Sequence, residues 1–138
     1  MYQEIQLQVK TDLAASYQIL SWFEQLNQPP LTDAKTWWQC QTLIYEGFTN
    51  IVEHAHQDLP PETPIVLAAV RSDRAIEISI WGYGKPFDLE QKLSEMAEFE
   101  GNDRERGRGL KIISQLADGF SYQLTLDTRH CLWMKKYY

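Results

Sequence analysis

Ile5, Leu7 and Val9 alternate with Gln6, Gln8 and Lys10, the two-residue period of a strand with one buried face. Thr11-Asp12 follows and offers side-chain oxygens of the kind that cap a helix. From Leu13 to Leu26 the apolar residues Leu13, Tyr17, Leu20, Phe23 and Leu26 recur at three and four, which predicts a helix with that stripe in the core, ended by Asn27-Gln28-Pro29-Pro30. A second, longer helix is predicted from Thr32-Asp33 to about His56, burying Trp37, Ile44, Phe48, Ile51, Val52 and Ala55.

Pro60-Pro61 ends that helix, and two alternating runs, Ile65 to Val70 and Ile76 to Trp81, predict an antiparallel hairpin with Arg71-Ser72-Asp73-Arg74 as its turn. Gly82-Tyr83-Gly84-Lys85-Pro86 cannot continue a strand, and Asp88 with Gln91 has the form of a capping box opening a short helix. Residues 100–106 are charged and lack an apolar period, so a loop is expected there, leading into Gly107-Arg108-Gly109 and a helix from Leu110 to Leu116. A last hairpin runs from Phe120 to Leu126 and from Cys131 to Tyr137, around Asp127-Thr128-Arg129-His130. These elements add up to one α/β domain over residues 1–138, an α+β two-layer sandwich with a mixed, largely antiparallel sheet and helices on one face.

Composition narrows the picture. With 138 residues, 43% apolar and 12% aromatic, the chain has the size for a single core without disulfides or metals. No apolar run approaches the roughly 20 residues of a membrane helix, and the first residues lack the charged-then-apolar order of a signal peptide, so a cytoplasmic protein is expected. Cys40 and Cys131 stand far apart with no CxxC or His/Cys cluster, the pattern of two buried thiols. A net charge of −6 disfavours nucleic acid and points to another protein as the macromolecular partner.

Candidate chemistry begins on the second helix, where Glu46, Asn50 and His54 are spaced by four and share one face. A carboxylate and an amide so aimed suit magnesium and a phosphate chain, since a hard cation takes oxygen ligands and a carboxylate can take the proton of an attacking hydroxyl. Further motifs follow in order: Gly82-Tyr83-Gly84-Lys85-Pro86-Phe87-Asp88 after the strand pair, then Arg106-Gly107-Arg108-Gly109-Leu110 opening a helix. Glycines let a ligand approach the backbone, and a helix N-terminus presents unpaired N–H groups to phosphate oxygens, with Arg106 and Arg108 adding positive charge.

Glu46-Gly47-Phe48-Thr49-Asn50-Ile51-Val52-Glu53-His54-Ala55 resembles the N box of GHKL ATPases, in the form found in anti-sigma-factor serine kinases. Gly84 with Pro86-Phe87-Asp88 resembles the first glycine box, Gly107-Arg108-Gly109-Leu110 the second, and the hairpin through Leu132, Met134 and Lys135 the family's last strands. The resemblance implies ATP and Mg2+ as ligands, Asn50 on the metal, Glu46 as the base that activates a partner's serine, and Gly82, Gly84, Arg106, Gly107, Arg108, Gly109 and Leu110 around the nucleotide. It also implies a small anti-sigma-factor antagonist as phosphoacceptor, a sigma factor as sequestered partner, and a homodimer.

One position departs from the pattern. The family's first glycine box usually begins with an aspartate that accepts a hydrogen bond from the adenine amino group, and the matching residue is Gly82. Loss of such a bond predicts ATP affinity lower by about ten- to hundredfold. Three explanations stand: adenine is held another way, the motif is shifted by a residue, or nucleotide binding has decayed and the chain is a non-catalytic partner-binding module. Asp88 is expected to serve as the N-cap of the following helix, and His56 and His130 belong to no motif.

Overall fold

The structure, a computed structural model, describes residues 2–84 and 108–138, with Arg108 described by its backbone alone. Strand β1 (Gln3–Lys10) leads through a 3-10 turn (Leu13–Ala15) into α1 (Ser16–Phe23), which ends in a second 3-10 turn (Glu24–Leu26). Helix α2 (Ala34–Asn50) continues as a π-helical turn (Ile51–Ala55) and is followed by β2 (Pro64–Arg71) and β3 (Ala75–Gly82). The remaining elements are α3 (Arg108–Leu116), β4 (Gly119–Leu124) and β5 (His130–Tyr137). The short helix expected at Asp88 and the loop expected over 100–106 lie outside the described residues.

The five strands form one sheet in the order β1-β2-β3-β5-β4. Every pairing is antiparallel, so the mixed sheet expected from the sequence is antiparallel throughout the described residues. The register lines up apolar residues in rows: Ile5, Ala69, Ile78, Met134 and Phe120 in one, and Leu7, Leu67, Ile80, Leu132 and Tyr122 in the next. Ile44, Phe48 and Ile51 of the long helix and its π turn are fully buried in the same core. Each such side chain contributes roughly 1.5–3 kcal/mol by leaving water.

Asp33 caps α2, its carboxylate accepting from the Lys35 N–H at 3.0 Å. The expected long helix is therefore real, but its last turn is π-helical, closed by the His56 N–H donating to the Ile51 carbonyl at 2.8 Å. Within the expected buried face Val52 is only half-buried, while Cys40, Leu43 and Asn50 are buried as well.

Three further expectations change. Leu13 and Tyr17, placed in the core by the stripe, are 44% and 83% exposed. The α-helix starts only at Ser16, and the inward stripe of the helix and the 3-10 turn after it is Ile19, Trp22, Phe23 and Leu26, the same three-and-four spacing in another phase. Trp22 Nε1 donates to the Gln6 carbonyl at 3.0 Å, and Phe23 stacks on Trp37 with ring centroids 4.7 Å apart, which fixes that phase.

Arg71 is not a turn residue but the buried last residue of β2, and Ser72 closes the turn to Ala75. Its Nη1 donates to the Leu26 carbonyl at 2.7 Å and the Pro29 carbonyl at 2.6 Å, and its guanidinium lies over the Tyr138 ring. Cys40 is buried, which pushes its thiol up to about 12, but Cys131 is only half-buried. Among the described residues no helix is long and apolar enough to cross a membrane.

Candidate functional site

Glu46 and Asn50 lie one turn apart near the C-terminal end of α2. The buried Asn50 amide donates through Nδ2 to the Glu46 carbonyl at 3.1 Å, which orients the side chain and leaves Oδ1 as its acceptor end. Helix α3 is anchored by Leu110 and Ile113, both buried, and this brings its first turn down onto that pair. A Cβ at Gly109 would stand 2.6 Å from Asn50 Nδ2 and 3.0 Å from Glu46 Oε2. A side chain at 109 would have to push the Asn50 and Glu46 side chains aside or lift the α3 backbone.

Two motifs far apart in the chain, the Glu46/Asn50 pair and Gly109, are thereby brought together. An amide oxygen and a carboxylate are the hard donors a magnesium ion takes, and the first turn of a nine-residue helix offers N–H groups that have no intrahelical partner. The residues present fit a magnesium-bound polyphosphate: Asn50 would hold the metal, which neutralises phosphate charge, and the α3 backbone would hold phosphate oxygens. Leu110 would take part through its backbone, since its side chain is buried. Arg106, Gly107 and the Arg108 side chain lie outside the described residues, and His54 stands exposed on the π turn.

The glycines at the end of β3 pack against the π turn that follows Asn50. Gly84 has φ +88°, and a Cβ there would come within 2.0 Å of the Ala55 carbonyl oxygen of the π turn. At Gly82 a Cβ would lie 2.9 Å from both His56 Nε2 and Ile51 Cγ2. The space beside the Gly82 backbone is thus taken by the His56 imidazole and the Ile51 side chain.

His56 and His130, which no motif singled out, hold this segment from two sides and are 2% and 3% exposed. The Tyr83 N–H donates to His56 Nε2 at 2.7 Å, so the ring's proton is on Nδ1, which donates to Thr11 Oγ1 at 2.7 Å. Thr11 in turn donates to the Thr63 carbonyl at 2.7 Å. Burial lowers the His56 pKa below its ordinary 6.5, in keeping with a neutral ring. On the far side His130 Nε2 donates to the Gly84 carbonyl at 2.7 Å, and its ring stacks on Tyr122. The signal for the pair is tertiary: His130 is the cross-strand partner of Gly82, and His56 reaches a backbone N–H distant in sequence.

No curated protein matches the chain. A family model described as the histidine kinase-like ATPase domain matches residues 9–136, a span that runs from β1 through β5 and includes Glu46, Asn50, Gly82, Gly84 and Gly109. Domains of that family bind ATP, generally with Mg2+. The order of strands and helices, the Glu46/Asn50 pair under Gly109 and this match agree, and the chain belongs to the histidine kinase-like ATPase domain family.

Proposed function

We propose that the protein is an ATP-dependent protein serine kinase of the anti-sigma type, which phosphorylates a small antagonist protein and sequesters a second partner. The observation that carries the nucleotide part of this reading is the seat of Gly109 on Glu46 and Asn50. Mg2+-ATP would supply the phosphoryl group to be transferred. Glu46 would take the proton of the partner's serine hydroxyl as its oxygen bonds to the γ-phosphorus and ADP leaves, Asn50 would hold the metal, and the α3 backbone around Gly109 and Leu110 would bind phosphate oxygens. Arg106, Gly107 and Arg108 add N–H groups and positive charge by the same resemblance, and Gly82 and Gly84 border the base. The partners, a sigma factor and its antagonist, and the homodimer rest on the resemblance alone, as does the cytoplasmic setting.

The alternative reading is a partner-binding module that keeps the fold without useful ATP affinity. In its favour stands the His56 ring, which occupies the space where the family's adenine-contacting carboxylate would be.

Calorimetric titration with Mg2+-ATP separates the two. Transfer of labelled phosphate to a serine of the antagonist is followed in parallel, in the native chain and in Glu46→Gln. Binding with Kd on the order of micromolar in both, and transfer slowed by about a hundredfold or more in Glu46→Gln, is expected. Binding without transfer would leave an ATPase domain that is not this kinase, and absence of binding would leave the module.

A further inference from the structure

The Gly82 position leaves the purine 6-amino group without the acceptor that the family pattern supplies. We propose that His130 Nδ1 is that acceptor, an assignment that rests on the nucleotide reading above. His130 is the cross-strand partner of Gly82. Its side chain shares the inner face of β5 with the buried Leu132 and Met134, so it points toward the helical layer, beside Gly84. The Gly84 carbonyl can only accept, so Nε2 carries a proton, and in that tautomer of the uncharged ring Nδ1 presents a lone pair.

That Nδ1 is buried and has no hydrogen-bond partner among the described residues. A buried acceptor left unsatisfied in a folded protein calls for an explanation, and a donor on a ligand is one. His56 cannot take the role, because both its nitrogens are engaged, by the Tyr83 N–H and by Thr11. The Tyr122 ring, with centroid 5.8 Å away and planes 21° apart, holds the His130 ring in place. An acceptor at Nδ1 would favour adenine, whose 6-amino group donates, over guanine, whose 6-oxo group would set acceptor against acceptor.

Replacing His130 would also remove the tie to Gly84, so the test changes the ligand and leaves the protein intact. The chain labelled with 15N-histidine is titrated with Mg2+-ATP, and separately with the Mg2+ complex of purine riboside triphosphate, which lacks only the 6-amino group. Calorimetry gives the affinities and NMR follows the His130 nitrogens. ATP is expected to bind about tenfold more tightly, and the His130 Nδ1 resonance to move with ATP but stay with the analogue. Equal affinities, or a Nδ1 resonance that saturating ATP leaves in place, overturn the assignment and keep the nucleotide site. Absence of binding by either triphosphate overturns both.

Discussion

Gly84 is constrained twice over, by a positive φ and by the Ala55 carbonyl where a side chain would begin. Gly84→Ala is therefore expected to destabilise the fold by about 2–3 kcal/mol or more, read as a lower urea midpoint. Gly82 is constrained by space alone. Gly82→Asp puts a carboxylate against the His56 lone pair and Ile51, so it is expected to lower the urea midpoint as well and not to raise ATP affinity. In the sequence Gly84 stood in a motif resembling a glycine box, and Gly82 stood where that pattern usually has an aspartate. The reason each must be glycine was not legible there, because the atoms that exclude a side chain come from residues 51 to 56, some thirty positions earlier in the chain.

The elements differ from their sequence patterns where another element decides. Helix α2 was legible at both ends of its apolar face, whereas its π-helical finish places the Ala55 carbonyl under Gly84, a contact that no periodicity encodes. The phase of α1 follows from its neighbours, since Trp22 reaches back to β1 and Phe23 stacks on α2. Arg71 ties the end of β2 to the segment after α1 through the Leu26 and Pro29 carbonyls. Arg71→Met would keep the apolar stem and leave both carbonyls without their donor, and a loss of about 2–4 kcal/mol is expected by urea denaturation. The exposed Arg74, three residues on, is a control whose replacement by alanine should change stability by about 0.5 kcal/mol or less.

Across the molecule, His56 joins four parts: the chain after β1 through Thr11, the approach to β2 through Thr63, the end of the long helix, and the end of β3 through Tyr83. Its folded pKa is lowered by burial, so the unfolded chain takes up the proton first as pH falls. Its contribution to stability is complete above the ordinary value of 6.5 and is lost as pH falls from there through the lower folded value. Urea midpoints measured from pH 8 down to about 5 should decline below about 6.5, and His56→Gln, which does not titrate in this range, should flatten that part of the decline.

Sequence alone was enough for whatever depends on local period and composition: two long helical stretches, the β2–β3 and β4–β5 hairpins, the α/β class, and the motifs built on Glu46, Asn50 and the glycines. Those signals are short-range, since a buried stripe or a turn is written in adjacent residues. Tertiary structure decided which residues share a site. It set β5 rather than β4 beside β3, lowered Gly109 onto Glu46 and Asn50, filled the space at Gly82 with His56, and buried His130 Nδ1 without a hydrogen-bond partner among the described residues. Each of these joins residues distant in the chain through packing and backbone hydrogen bonds, which depend on how whole elements come together.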